Sequence, residues 1–138
     1  MALNTQVSSA AAAAEANALA ALLNAGFIDI YDGTQPASAD STITTQTKGV
    51  RLTFSASAFG LSSNGALTAN SITSGTALNT IAASWFRCLK SDGSTAVLDG
   101  TVGTTSANLL LPTVTINAGV TVSCSSFQHT VQRATAGL

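Results

Sequence analysis

His129 is the only histidine in the chain, and few side chains could join it in chemistry: two cysteines, Cys88 and Cys124, and six carboxylates. A nucleophile needs a base within hydrogen-bond reach and a third group to orient that base, and neither cysteine makes a credible pair with His129. The same three residues fall short of the usual four ligands of a structural zinc site. Asp29, Asp32 and Asp40 match the spacing of no calcium loop, and isolated aspartates such as Asp32 and Asp40 are most often turn residues. No phosphate-binding loop and no dinucleotide fingerprint occurs. His129 is therefore read as a surface or hydrogen-bonded residue, and no catalytic residue, metal ligand or cofactor is assigned.

With so little chemistry available, the elements carry the reading. The stretch from Ala82 to Leu98 reads as a strand, a turn at Asp92-Gly93 and the start of a returning strand. Period-two alternation puts Ala83, Trp85 and Arg87 on one face, and Ala82, Ser84, Phe86 and Cys88 on the other. An aromatic on each face marks either a central strand covered on both sides or a strand whose outer face a neighbouring subunit buries. Trp85, the only tryptophan, is thus a candidate core residue and a candidate subunit contact.

A chain of 138 residues suits one independently folding core. Five basic and six acidic residues leave a net charge of -1, and solubility must rest on 20 Thr and 17 Ser. Alanine, with 25 residues, supplies much of the 46 % hydrophobic content while burying little area. Such a surface packs against copies of itself with little charge desolvation, which suits an assembly subunit and equally suits a secreted or periplasmic monomer. Lys48, Arg51, Arg87, Lys90 and Arg133 are too dispersed for a phosphate-binding patch, so nucleic acid is not an expected partner. No run approaches the length of a membrane span. The N-terminus lacks a basic leader and is interrupted by Asn4, Gln6, Glu15, Asn17 and Asn24, unlike a signal peptide. Both cysteines are then expected to be reduced.

The N-terminal segment predicts one helix from Asn4 to Ala25, capped by Asn4 or Thr5, with Gly26 in the left-handed position beyond its end. Val7, Ala11, Ala14, Ala18, Leu22 and Ala25 recur at spacings of three and four, and Leu19 and Leu23 widen the stripe. Packing on the chain's own sheet, packing on an adjacent subunit, and a frayed arm all remain open. The candidate assembly contacts are Val7, Ala11, Ala14, Ala18, Leu22 and Trp85.

Beyond the helix, Phe27 to Tyr31 and Val50 to Phe54 alternate as strands, separated by a loop from Thr34 to Thr42. Phe59 is expected to plug the core. Further strands are predicted at Ala66 to Ile72, Ala96 to Leu98, Asn108 to Leu111 and Val120 to Val131, the last with a bulge near Ser125-Ser126 or a change of face. Turns are placed at Asp32-Gly33, Asn64-Gly65, Ser74-Gly75, Asp92-Gly93, Asp99-Gly100 and Asn117 to Gly119. Seven to nine short strands after one Ala-rich helix predict a mainly β protein: a helical arm over residues 1–26, then an antiparallel β-sandwich or jelly-roll-like domain over 27–138.

The phrases IYDGTQPASAD (Ile30 to Asp40), NGALTANSITSGTA (Asn64 to Ala77) and ASWFRCLKSDGSTAVLDGTVGTTSANLLL (Ala83 to Leu111), with LNT at Leu3 to Thr5 and LLNAG at Leu22 to Gly26, resemble a family of small virion structural proteins of tailed bacteriophages and prophages. The chain departs from that family's pattern at Cys88 and Cys124, where Ile, Val or Thr is expected, and at Ala10 to Ala14, where longer charged side chains are usual. The resemblance implies a non-enzymatic subunit present in many copies, assembled in the host cytoplasm into a virion. Its partners would be its own copies and other virion proteins, with no nucleic acid and no membrane. A capsid decoration or minor head protein is the leading expectation, a neck, collar or tail-associated subunit the next. A carbohydrate- or receptor-binding module is a more distant alternative, requiring Trp85 or Tyr31 in an open groove with convergent polar groups.

Overall fold

Ser8, rather than Asn4 or Thr5, starts the helix: its extended backbone and its hydroxyl, which accepts from the Ala11 N–H at 3.0 Å, make it the N-cap. The computed structural model describes residues 4–131; Leu3 and Arg133, used in the sequence reading, lie outside them. Helix α1 (Ser9–Leu22) is followed by twelve short strands: β1 (Phe27–Tyr31), β2 (Lys48–Phe54), β3 (Ala66–Thr68), β4 (Ile72–Thr73), β5 (Gly75–Thr76), β6 (Ile81–Ala82), β7 (Trp85–Leu89), β8 (Ala96–Gly103), β9 (Leu109–Leu110), β10 (Thr115–Ile116), β11 (Thr121–Val122) and β12 (Ser126–Thr130). The protein is mainly β with one N-terminal helix.

Eight strands form one sheet in the order β3-β12-β9-β8-β7-β1-β2-β4. It is mixed rather than purely antiparallel, because β8 and β9 run parallel. The intervening residues 104–108 turn the chain full circle, with Ser106 at a φ of 50°. Phe127 on β12 meets Phe54 on β2 at 5.8 Å and Phe86 on β7 at 5.2 Å between ring centroids. Strands five places apart in a flat sheet would stand roughly 24 Å from one another at the usual strand spacing, so the sheet curls into a half-barrel around these rings. Segments 75–83 and 114–122 pair as an interrupted antiparallel ribbon that carries β5, β6, β10 and β11. The ribbon adds Ala77, Ile81, Ile116 and Val122 to the core.

Helix α1 packs into that same core. Ala12, Ala16, Ala20 and Leu23 are buried, and three of them, Ala16, Ala20 and Leu23, belong to the cluster formed with Ile28, Leu52 and Phe59. The boundary drawn at residue 26 thus separates elements of one core. At the helix end Ala25, not Gly26, is left-handed, with φ 56°. Gly26 is needed for a different reason: a Cβ there would overlap the Leu89 carbonyl.

One turn expectation and two strand expectations are corrected by the observed strands. Asp99-Gly100 lies inside β8, where a Cβ on Gly100 would sit 2.6 Å from the Phe86 ring, so this glycine admits an aromatic rather than reversing the chain. The single strand placed at Ala66 to Ile72 is divided between β3 and β4, which lie at opposite edges of the sheet. The last segment likewise breaks into β11 and β12, changing face as it passes from ribbon to sheet instead of bulging within one strand.

Candidate functional site

Four adjacent strands place charged residues directly opposite one another. Arg51 on β2 pairs in register with Asp29 on β1, Asp29 with Arg87 on β7, and Arg87 with Asp99 on β8. Alternation gives this row the same face as Trp85, while Ile28, Ile30, Phe86 and Cys88 point to the core. Arg51 grips Asp29 through both forks, Nε to Oδ1 at 2.6 Å and Nη2 to Oδ2 at 2.8 Å. Arg87 grips Asp99 in the same way, at 2.7 and 2.8 Å. Lys48 lies 3.5 Å from Asp29. Five of the eleven charged residues of the chain are therefore spent on one ladder. Bidentate pairs of this kind fix geometry, and a one-residue slip of any of the four strands would turn a charge into the core.

The row is covered. Arg87 Nη1 donates to the Ser41 carbonyl at 2.8 Å and Nη2 to that of Ser38 at 3.4 Å, so the loop between β1 and β2 closes over it. Arg51 reaches the Gly93 carbonyl at 3.0 Å and stands 4.7 Å over the Phe27 ring. Trp85 is 1 % exposed, stacks on Tyr31 at 4.7 Å and donates its indole N–H to the Asp32 carbonyl at 2.9 Å. Its burial is accomplished by its own chain. Trp85 is accordingly buried within its own chain, on the face opposite the main core, and burial pushes the neighbouring Tyr31 phenol up.

The remaining polar candidates do not converge. Asp29 is committed to Arg51, Asp32 accepts from the Thr47 N–H at 2.6 Å, and Asp40 is exposed. Among the described residues no group of three His, Cys, Asp or Glu could hold a metal ion. Cys88 and Cys124 are free thiols; burial pushes Cys88 well up and Cys124 to about 11, away from the thiolate that nucleophilic attack requires. His129 is half-buried and its pKa is lowered by that burial. Among the described residues no helix is long and apolar enough to cross a membrane.

Of the predicted contacts, Ala11, Ala14, Ala18 and Leu22 are exposed and Val7 is half-buried. The helix therefore packs with a face some 150° away from the predicted stripe, by the usual 100° per residue. Leu22 is 45 % exposed and Leu61 is 93 % exposed. Leu61 is held near the helix because Asn17 bonds Ser62 in both directions, at 2.8 and 3.4 Å. Sequence reasoning missed Leu61, since a lone leucine in a Ser/Gly/Asn-rich loop has no periodicity to reveal it. Comparison with known proteins finds no matching family model, no matching curated protein and no matching solved structure.

Proposed function

We propose that this chain is a non-enzymatic structural subunit of a tailed-bacteriophage virion, a capsid decoration or minor head protein that stabilises the particle through subunit contacts. The observation that carries the reading is the second apolar face of α1. An apolar helix face is ordinarily covered, yet Ala11, Ala14, Ala18 and Leu22 face solvent in the single chain. The small side chains of the three alanines permit close approach of another backbone, and Glu15 is the one charge of the helix that flanks this face. The virion phrases of the sequence supply the setting. In this reading the ribbon is the second layer of a sandwich-like subunit, and the helix face is left for neighbours. Weak contacts suffice there, because a symmetric lattice engages several of them together.

A neck, collar or tail position follows from the same surface and differs only in copy number. The carbohydrate-binding alternative asks for Trp85 or Tyr31 in an open groove, and both are buried. Quantitative mass spectrometry of purified particles from the phage or prophage encoding the chain tests the proposal. A fixed stoichiometric ratio to the major capsid protein supports decoration, a ratio matching a single ring moves the subunit to the neck or tail, and absence from particles rejects the virion role.

A further inference from the structure

The eight-stranded sheet has a vacancy in it. Strand β9 is two residues long, pairing with β8 only at Val102 and Gly103 and with β12 only at Ser126 and Phe127. It holds β8 and β12 two strand spacings apart, roughly 9.6 Å. Ahead of Asn108, whose carbonyl still accepts from Gln128 of β12, the chain leaves the sheet, and by the same spacing the gap that opens is roughly the width of one strand. This gap is a cavity of about 420 Å³, walled by Leu98 and Asp99 of β8 and by residues 127–130 of β12, with Phe86 at its floor.

Both walls present backbone. Val102 donates to the carbonyl of Ser84, the residue just before β7, whereas Thr101 turns its N–H to the Asn108 side chain, so alternation aims the peptide groups of Asp99 into the gap. On β12, Phe127 and Val131 bond toward β3, and Gln128 donates to the Asn108 carbonyl at 3.2 Å. Thr130 therefore also faces the gap. Among the described residues no strand pairs with β8 over Ala96 to Gly100 on this side. Edges of this kind are templates for an incoming strand.

We infer that the gap receives one extended segment from a second copy of this chain, paired on one side with β8 and on the other with β12. This rests on the reading of the protein as a multi-copy subunit. The occupant must be a lone segment and not the edge of an existing sheet, because both of its neighbours are already supplied. The ionisable groups on the walls are Asp99, which Arg87 neutralises, and His129, whose burial disfavours its charged form, so the gap favours an uncharged strand over a charged one. This chain, 8 % charged and rich in Thr and Ser, is made of such strands.

Hydrogen exchange of the full chain at low and high protein concentration, alongside sedimentation, is the test. Association should slow exchange at Asp99 and Thr130 by about tenfold or more. Thr130→Pro removes a gap-facing N–H without touching the bonds to β3, and Ala107→Glu puts a charge at the gap from a loop position. Each should keep core protection and abolish the slowing; if the proline variant unfolds, the glutamate variant decides. Association that leaves Asp99 and Thr130 unprotected, or that survives Ala107→Glu, overturns the inference while leaving the multi-copy reading in place. Absence of association at every concentration also overturns it, and the virion role is then judged on particle stoichiometry alone.

Discussion

The outer face of the central sheet and the solvent face of α1 invert the usual placement of polar and apolar groups. The sheet face gathers Asp29, Arg51, Arg87 and Asp99 into one row, with the Arg87–Asp99 pair under a loop and the Asp99 side chain 4 % exposed. The helix face offers Ala11, Ala14, Ala18 and Leu22 to water. Charge here fixes how strands align, while the exposed helix face carries alanines and a leucine with Glu15 as its one charge, a surface that suits the contacts proposed for it.

The largest effect should come from breaking the ladder. Arg87→Met leaves the Asp99 carboxylate buried without its partner and should cost about 3–5 kcal/mol, read as a lowered midpoint in urea denaturation. Replacing Arg87 and Asp99 together by apolar residues should recover most of that loss, since a buried pair contributes geometry more than net stability. A double variant as unstable as the single one would show that the pair itself stabilises the fold. Phe127→Ala removes the ring shared by Phe54, Phe59 and Phe86 and should cost a similar ~3–5 kcal/mol.

Titration gives smaller effects. His129 has its folded pKa lowered below the ordinary 6.5 by burial, so the unfolded chain binds the proton more readily. Stability should therefore fall as pH drops below 6.5, until the folded pKa is reached. His129→Gln should flatten that slope in denaturation curves. Asp92, in the turn after β7, accepts from the Ser94 and Thr95 N–H groups at 2.9 Å each and from the Thr95 hydroxyl, which lowers its pKa from 3.8 to about 2. Its contribution is present above pH 3.8 and is lost as pH falls toward 2; a carboxyl NMR titration with a midpoint near 3.8 would contradict the turn geometry.

What was legible in the chain follows from the strength of local signals. Both-sided burial of the Trp85 strand is visible because Trp85 and Phe86 sit on opposite parities, and Gly33, Gly65, Gly93 and Gly119 all adopt the positive φ that their turn dipeptides announce. The ladder is not visible, because Asp29, Arg51, Arg87 and Asp99 become neighbours only once β1 is inserted between β2 and β7, a matter of topology. The packed face of α1 is equally hidden. Alanine surrounds the helix, so periodicity cannot choose between Ala12-Ala16-Ala20 and Ala11-Ala14-Ala18; tertiary packing does, with Ala16, Ala20 and Leu23 in the core and Ala12 against Gly65.

The smallest effect on stability should accompany the largest effect on assembly. Ala14→Lys with Ala18→Lys changes exposed positions of α1 and should shift stability by no more than about 0.5 kcal/mol each. The direct test is the amount of this double variant, relative to wild type, that co-purifies with particles when either is the sole copy in the producing host. The variant should fold normally and remain in the soluble fraction, with wild type retained on the particle. Incorporation of the folded variant at the wild-type ratio would contradict the assignment of this face to assembly.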